Sequence, residues 1–160
     1  MRPIALPRDA RALTTLSRVD YVDACRAEAP ALQDRTAEQW ARAMLEDAPP
    51  DARRALRWVW KGLGLKLGST GNERLVLGWE VRLSSPEVAL LGADSLLGLR
   101  GEVLLKRQSE LLLFATFIQF QNPVARAVWS RVAPGHRQTV RNLLEAAVAR
   151  ADARAVPSPV

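Results

Sequence analysis

One cysteine, one histidine and one tyrosine stand among 160 residues, and each scarcity excludes a class of protein. Cys25 alone forms no internal disulfide, which rules out a disulfide-stapled scaffold and agrees with a reducing compartment. His136 alone rules out multi-histidine metal centres, and we expect neither metal nor cofactor. No apolar run approaches the ~20 residues of a membrane-spanning helix. The stretch from Met1 to Arg8 lacks the ~7–15-residue apolar region of a signal peptide. The expectation is a cytoplasmic protein with no integral membrane association. There is no internal repeat, and Gly62, Gly64 and Gly68 follow no strand, so they form a helix terminator rather than a phosphate-binding loop.

What is present suits one globular domain. Hydrophobic residues make up 48% and charged residues 25%, enough for a sizeable core at this length. We place that domain at residues 1–153 and expect residues 154–160, with two prolines and no periodicity, to be a flexible tail. The net charge of +6 invites a nucleic-acid reading. Its distribution argues against one: arginines run from Arg2 to Arg154 with acids interspersed, and lysine occurs only at Lys61, Lys66 and Lys106. The densest basic group, Arg53, Arg54, Arg57 and Lys61 with Lys66, reads as a solvated helix face, with an anion patch as the alternative.

Periodicity orders the elements. Leu13 to Ala27 is β-like and ends at Pro30. Thr36 and Gln39 form a capping box, and Trp40, Met44 and Leu45 follow at helical spacing until Pro49-Pro50. Asp51 can cap a second helix whose apolar side carries Leu56, Val59 and Trp60, before a loop from Gly68 to Asn72. Leu75, Leu77, Trp79, Val81 and Leu83 then alternate with Arg74, Val76, Gly78, Glu80 and Arg82 as one strand with a dry face. A short strand from Glu87 to Leu91 turns at Gly92-Ala93-Asp94-Ser95, and a hairpin tipped by Gln108-Ser109 joins two further strands. If Arg107 opposes Glu110, Val103 opposes Phe114 and Leu99 opposes Ile118, which puts Leu112, Phe114, Thr116, Ile118 and Phe120 on the dry face. Leu111, Leu113 and Phe117 make the other face apolar too, so either a second layer or a second copy, a homodimer, covers it. Asn122-Pro123 opens the last helix, where Val124, Val128, Val132, His136, Val140, Leu144 and Val148 recur in steps of four. Pro134-Gly135 predicts a kink or two helices in sequence.

The order strand, two short helices, antiparallel strands, long C-terminal helix defines an α+β chain. It resembles the helix-grip fold of the START-like (SRPBCC) superfamily, a curved antiparallel sheet wrapped on that last helix. Asp20-Tyr21-Val22-Asp23-Ala24, Arg35 to Ala43, Val76-Leu77-Gly78-Trp79, Leu113 to Phe117, Asn122-Pro123, Ala127-Val128-Trp129 and Ala133 to Arg137, in that order, resemble an uncharacterised actinobacterial family within it. The resemblance spans roughly residues 13–150, and that family tends to carry a bulky apolar residue where Gly135 stands. It implies a hydrophobic cavity between sheet and C-terminal helix and an apolar small-molecule partner.

On this reading the cavity wall is Trp79, Val81, Leu99, Val103, Phe114 and Ile118, with Trp129 on the closing helix. Tyr21, Thr116 and His136 are the polar groups that would orient a ligand. For His136 three roles stay open: satisfying the helix backbone at Pro134, contacting a ligand, or general acid–base catalysis as in a polyketide-cyclase-like enzyme. Asp20 and Asp23, three apart on a strand, project to opposite faces and do not converge. Cys25 reads as a plain buried thiol. No catalytic residue is assigned, and a binding protein is the leading expectation.

Overall fold

The computed structural model describes residues 2–29, 35–69 and 71–155. The fold is α+β. A curled, seven-stranded antiparallel sheet in the order β1-β2-β7-β6-β5-β4-β3 carries helices on its concave side, the longest of them C-terminal: a helix-grip arrangement. The strands are β1 (Arg2–Pro3), β2 (Tyr21–Glu28), β3 (Leu75–Val76), β4 (Trp79–Ser84), β5 (Val88–Asp94), β6 (Leu99–Gln108) and β7 (Leu111–Phe120). The helices are α1 (Arg8–Arg11), α2 (Ala37–Leu45), α3 (Pro50–Gly62) and α4 (Pro123–Ala155). No helix among the described residues is long and apolar enough to cross a membrane.

Local chemistry explains most of the boundaries. Thr36 and Gln39 close the capping box reciprocally at the start of α2. Asn122 Oδ1 accepts the Ala125 amide at 2.8 Å and starts α4. The β6–β7 hairpin turns on Ser109 and Glu110, with Ser109 at φ 54° as a two-residue loop requires.

Several expectations need correction. The β6–β7 register lies two residues from the one inferred: Val103 pairs Thr116, Leu105 pairs Phe114 and Leu99 pairs Phe120. A slip of two leaves every side chain on its expected face. The alternating run from Leu75 to Leu83 is a hairpin, not one strand. Leu77 and Gly78 form its turn with φ 48° and 95°. Leu77 holds that conformation because its amide donates to Glu46 Oε1 at 3.0 Å while its side chain sits in the core. Asp51 does not cap α3; Pro50 occupies the first turn, where its missing donor costs nothing, and Asp51 lies one step inside. α4 is one helix through Pro134, which is exposed, so the carbonyl it leaves unpaired can meet water. Arg154 and Ala155 still belong to α4, while residues 156–160 of the expected tail, like Pro30 and Thr70, lie outside the described residues.

The first strand begins at Tyr21 rather than Leu13. The segment before it crosses the convex face of the sheet. Ile4, Leu6, Ala10, Leu13, Leu16 and Val19 pack there on Leu90, Leu104, Leu113, Ala115 and Phe117. Leu113 and Phe117, expected as a possible homodimer contact beside Leu111, are therefore buried by the chain's own N-terminal arm. A second copy is not needed to explain their apolarity. The arm is fastened by Glu102, fully buried, whose carboxylate accepts from the Thr14 and Thr15 hydroxyls, from the Thr15 amide at 3.0 Å and from Arg82 Nη1 at 2.8 Å. Gly92, read as a turn, lies inside β5. A Cβ there would collide with the Arg82 side chain, so this glycine is what lets Arg82 cross β5 to Glu102.

Candidate functional site

The concave face of the sheet is organised in cross-strand rows. Leu91, Val103, Thr116 and Asp23 form one, Ala93, Gly101, Ile118 and Tyr21 the next, and Ala89, Leu105, Phe114 and Cys25 a third. At one end of the sheet Trp79 of β4 meets Trp60 of α3 edge-on, 5.6 Å between centroids and 73° between planes. At the other, Tyr21 of β2 meets Trp129 of α4 edge-on at 5.4 Å and 72°. These two aromatic pairs bridge sheet and helices at separate places.

Between them lies a cavity of about 450 Å³, within the range of small-molecule sites. Its floor is Leu99, Val103, Phe114, Thr116 and Ile118; its roof is α3 through Leu56, Val59 and Trp60, with Leu63 just past its end, and α4 through Trp129, Val132, His136, Val140 and Leu143. The end of α2 closes it with Met44 and Leu45. Five wall residues are also solvent-exposed: Ala55 and Val59 on α3, and Arg131, Gly135 and Thr139 on α4. They mark the mouth, a slot between the two helices. At Gly135 an added Cβ would meet nothing within 4 Å, so the missing side chain widens that slot.

Of the residues proposed from sequence, Trp79, Leu99, Val103, Phe114, Thr116, Ile118, Trp129 and His136 lie on this wall. Tyr21 and Val81 do not. Tyr21 stands behind Trp129, and its hydroxyl donates to Asp23 Oδ2 at 2.6 Å. Burial, then that bond to an anion, pushes the phenol far above its ordinary range. Val81 shares the concave side but packs into the core around Trp79 and Leu91, beside a bulge in β4. The α3 wall was visible in sequence only as an apolar stripe, and nothing there tied it to a cavity. Arg131 and Thr139 gave no signal at all.

His136 is the main polar feature inside. Its Nε2 lies 2.9 Å from Thr116 Oγ1, and its ring rests 5.1 Å from that of Trp129. Burial lowers its pKa from the ordinary value; the Asp23 charge opposes that shift and Arg137 adds to it. A neutral imidazole at pH 7 follows. No carboxylate hydrogen bond to it is found among the described residues; Asp23, directly across the strand pair from Thr116, is engaged by Tyr21. Asp20 serves elsewhere, accepting from Arg18 and from the Phe120 amide at 2.8 Å each, so the two aspartates stay apart as expected. Burial, then the Asp23 charge, pushes the Cys25 thiol up to about 11. No cluster of three or more metal-ligating side chains occurs among the described residues. The arrangement offers an apolar chamber with one neutral hydrogen-bonding pair in its wall and no assembled acid–base dyad.

No protein-family model matches the chain, and no curated protein matches it significantly.

Proposed function

We propose that this is a START-like binding protein for an apolar or amphipathic small molecule, held in the cavity between sheet and C-terminal helix. A cytoplasmic location, favoured by the single unpaired cysteine, belongs to the same reading. The observation that supports it most is the cavity itself: about 450 Å³ left open between well-packed ends, with an apolar lining. Burial of ligand surface would supply affinity at about 25 cal/mol per Å² before entropic costs. The His136–Thr116 pair would orient one polar ligand atom. Native mass spectrometry of the purified protein tests this: a retained or re-bindable small molecule whose binding is lost when Ile118→Trp fills the chamber is the expected result. A protein that takes up no apolar molecule would reject the reading.

A polyketide-cyclase-like enzyme is the second reading, and it draws on His136 facing the cavity. It needs a partner that strengthens the imidazole as a base by stabilising its protonated form, and the neighbouring hydroxyl of Thr116 does that only weakly. Should a turnover be found, His136→Ala leaving its rate unchanged would remove this alternative.

A further inference from the structure

We propose that the cavity takes an amphiphile with an anionic head, its carboxylate, sulfate or phosphate group held at Arg131 and its apolar body lodged between the two aromatic pairs. This rests on the reading that the cavity binds a small molecule at all. Two residues bordering the chamber carry a formal charge at neutral pH, Arg131 and Glu102. The Glu102 carboxylate is turned to the convex face and used up by Thr14, Thr15 and Arg82. His136 is held neutral. Arg131 is left as the one free charge on the wall: it is exposed at the mouth and has no hydrogen bond or ion pair among the described residues. An unpaired guanidinium beside an apolar chamber offers a planar fork of donors to an oxyanion while the tail of the same molecule leaves water.

The wider field agrees. α3 carries Arg53, Arg54, Arg57 and Lys61 against Asp51 alone. The part of α4 before Glu145, residues 123–144, which includes every α4 residue on the cavity wall, carries Arg126, Arg131, Arg137 and Arg141 and no acid. Of the chain's 23 basic and 17 acidic residues these two stretches hold eight and one, leaving 15 against 16. The whole positive excess of the protein therefore sits on the two helices that frame the mouth. The α3 charges line a separate groove with Trp58 and Leu96, on another face of the helix from Ala55 and Val59, so they add to the long-range attraction for anions while Arg131 is the cation on the cavity wall itself.

The test uses three probes with one tail and different heads: decanoate, decanol and decyltrimethylammonium, titrated calorimetrically into the full chain at pH 7.5 below their micelle thresholds. Decanoate is expected to bind about fivefold to tenfold more tightly than decanol, the size of one partly solvated charge-assisted contact, and the ammonium probe more weakly than either. Arg131→Gln should erase the preference for decanoate, and Arg131→Glu should reverse the order of the two charged probes. Both substitutions alter an exposed side chain with no partner among the described residues, so folding should survive them. Equal binding of decanoate and decanol, or a preference that persists in Arg131→Gln, overturns the proposal while leaving a neutral-ligand cavity standing. Failure of all three probes to bind overturns it together with the cavity-binding reading.

Discussion

Replacing Glu102 by alanine should cost about 3 kcal/mol of stability. The carboxylate is fully buried and has four donors: two threonine hydroxyls, the Thr15 amide and Arg82. Breaking a buried pair by removing one partner costs about 3–5 kcal/mol, because the other is left desolvated. The lower end applies here. The Arg82 side chain keeps 17% exposure and has Asp94 and Glu80 each 3.6 Å away as substitute partners. The Thr15 amide, in a part-buried bond, has no other acceptor among the described residues. At about 2–4 °C per kcal/mol for a chain of this size, the melting temperature should fall by roughly 6–12 °C. Urea unfolding followed by circular dichroism gives the free energy, and amide exchange locates it: residues 13–19 should lose protection before β6 and β7 do. Replacing Glu102 by leucine and Arg82 by methionine together should recover part of the loss, since the desolvated partner is then gone. A Glu102→Ala variant within about 1 kcal/mol of wild type, or uniform loss of protection across the sheet, would refute the view that this carboxylate fastens the arm.

Three further outcomes are expected. Gly135→Ala should stabilise the protein by about 0.5–1 kcal/mol, because the residue is helical and a methyl group there meets nothing; a lower melting temperature would contradict this. The lone His136 imidazole, followed by NMR, should titrate below 6.5. The unfolded chain then binds a proton that the native chain refuses, so stability is full above pH 6.5 and declines as pH falls from there toward the native value, and His136→Gln should flatten that decline. A midpoint at or above 6.5 would contradict it. Cys25, its thiol raised to about 11 from a reference of 9.0, should react with a disulfide reagent at pH 8 roughly a hundredfold more slowly in the native protein than in urea, on thiolate population alone. Equal rates would show the thiol to be accessible.

What sequence reveals about this fold is the side on which each residue falls. Parity survives the wrong register because a two-residue hairpin loop moved one place along the chain shifts the pairing by two, so Phe114, Thr116 and Ile118 fall on the concave face in either register. Turns were harder. Asn-Gly or Asp-Gly would have marked the β3–β4 hairpin, but Leu77-Gly78 alternates like the strands around it. What permits its left-handed leucine is a carboxylate, Glu46, 31 residues away. Gly92 misled for a related reason: a glycine in a strand signals close approach, and sequence does not say that the approaching group is Arg82 rather than the next turn. The arm was invisible because it has no period. Apart from Ala10 in the four-residue α1, its apolar residues are spaced by the surface they cover, not by a helix or strand of their own.

The two faces of the sheet explain how a gap can persist in so small a protein. On the convex face the largely irregular N-terminal arm lies over Leu104, Leu113 and Phe117 and buries all three, because an irregular chain can follow the contour it covers. On the concave face the covering elements are rigid rods. α3 is held off β4 by Trp60 against Trp79, and α4 is held off β2 by Trp129 against Tyr21. β2 and β4 lie on either side of β7, β6 and β5, and β6 and β7 supply the floor between those supports. Large side chains at the ends and medium ones in the middle leave space that rods cannot fill by bending. The volume of the chamber is then set by four aromatic residues, three of which, Trp60, Trp79 and Trp129, also line it. Trp60→Leu should shrink it by letting α3 settle on the floor, even though the substitution removes atoms.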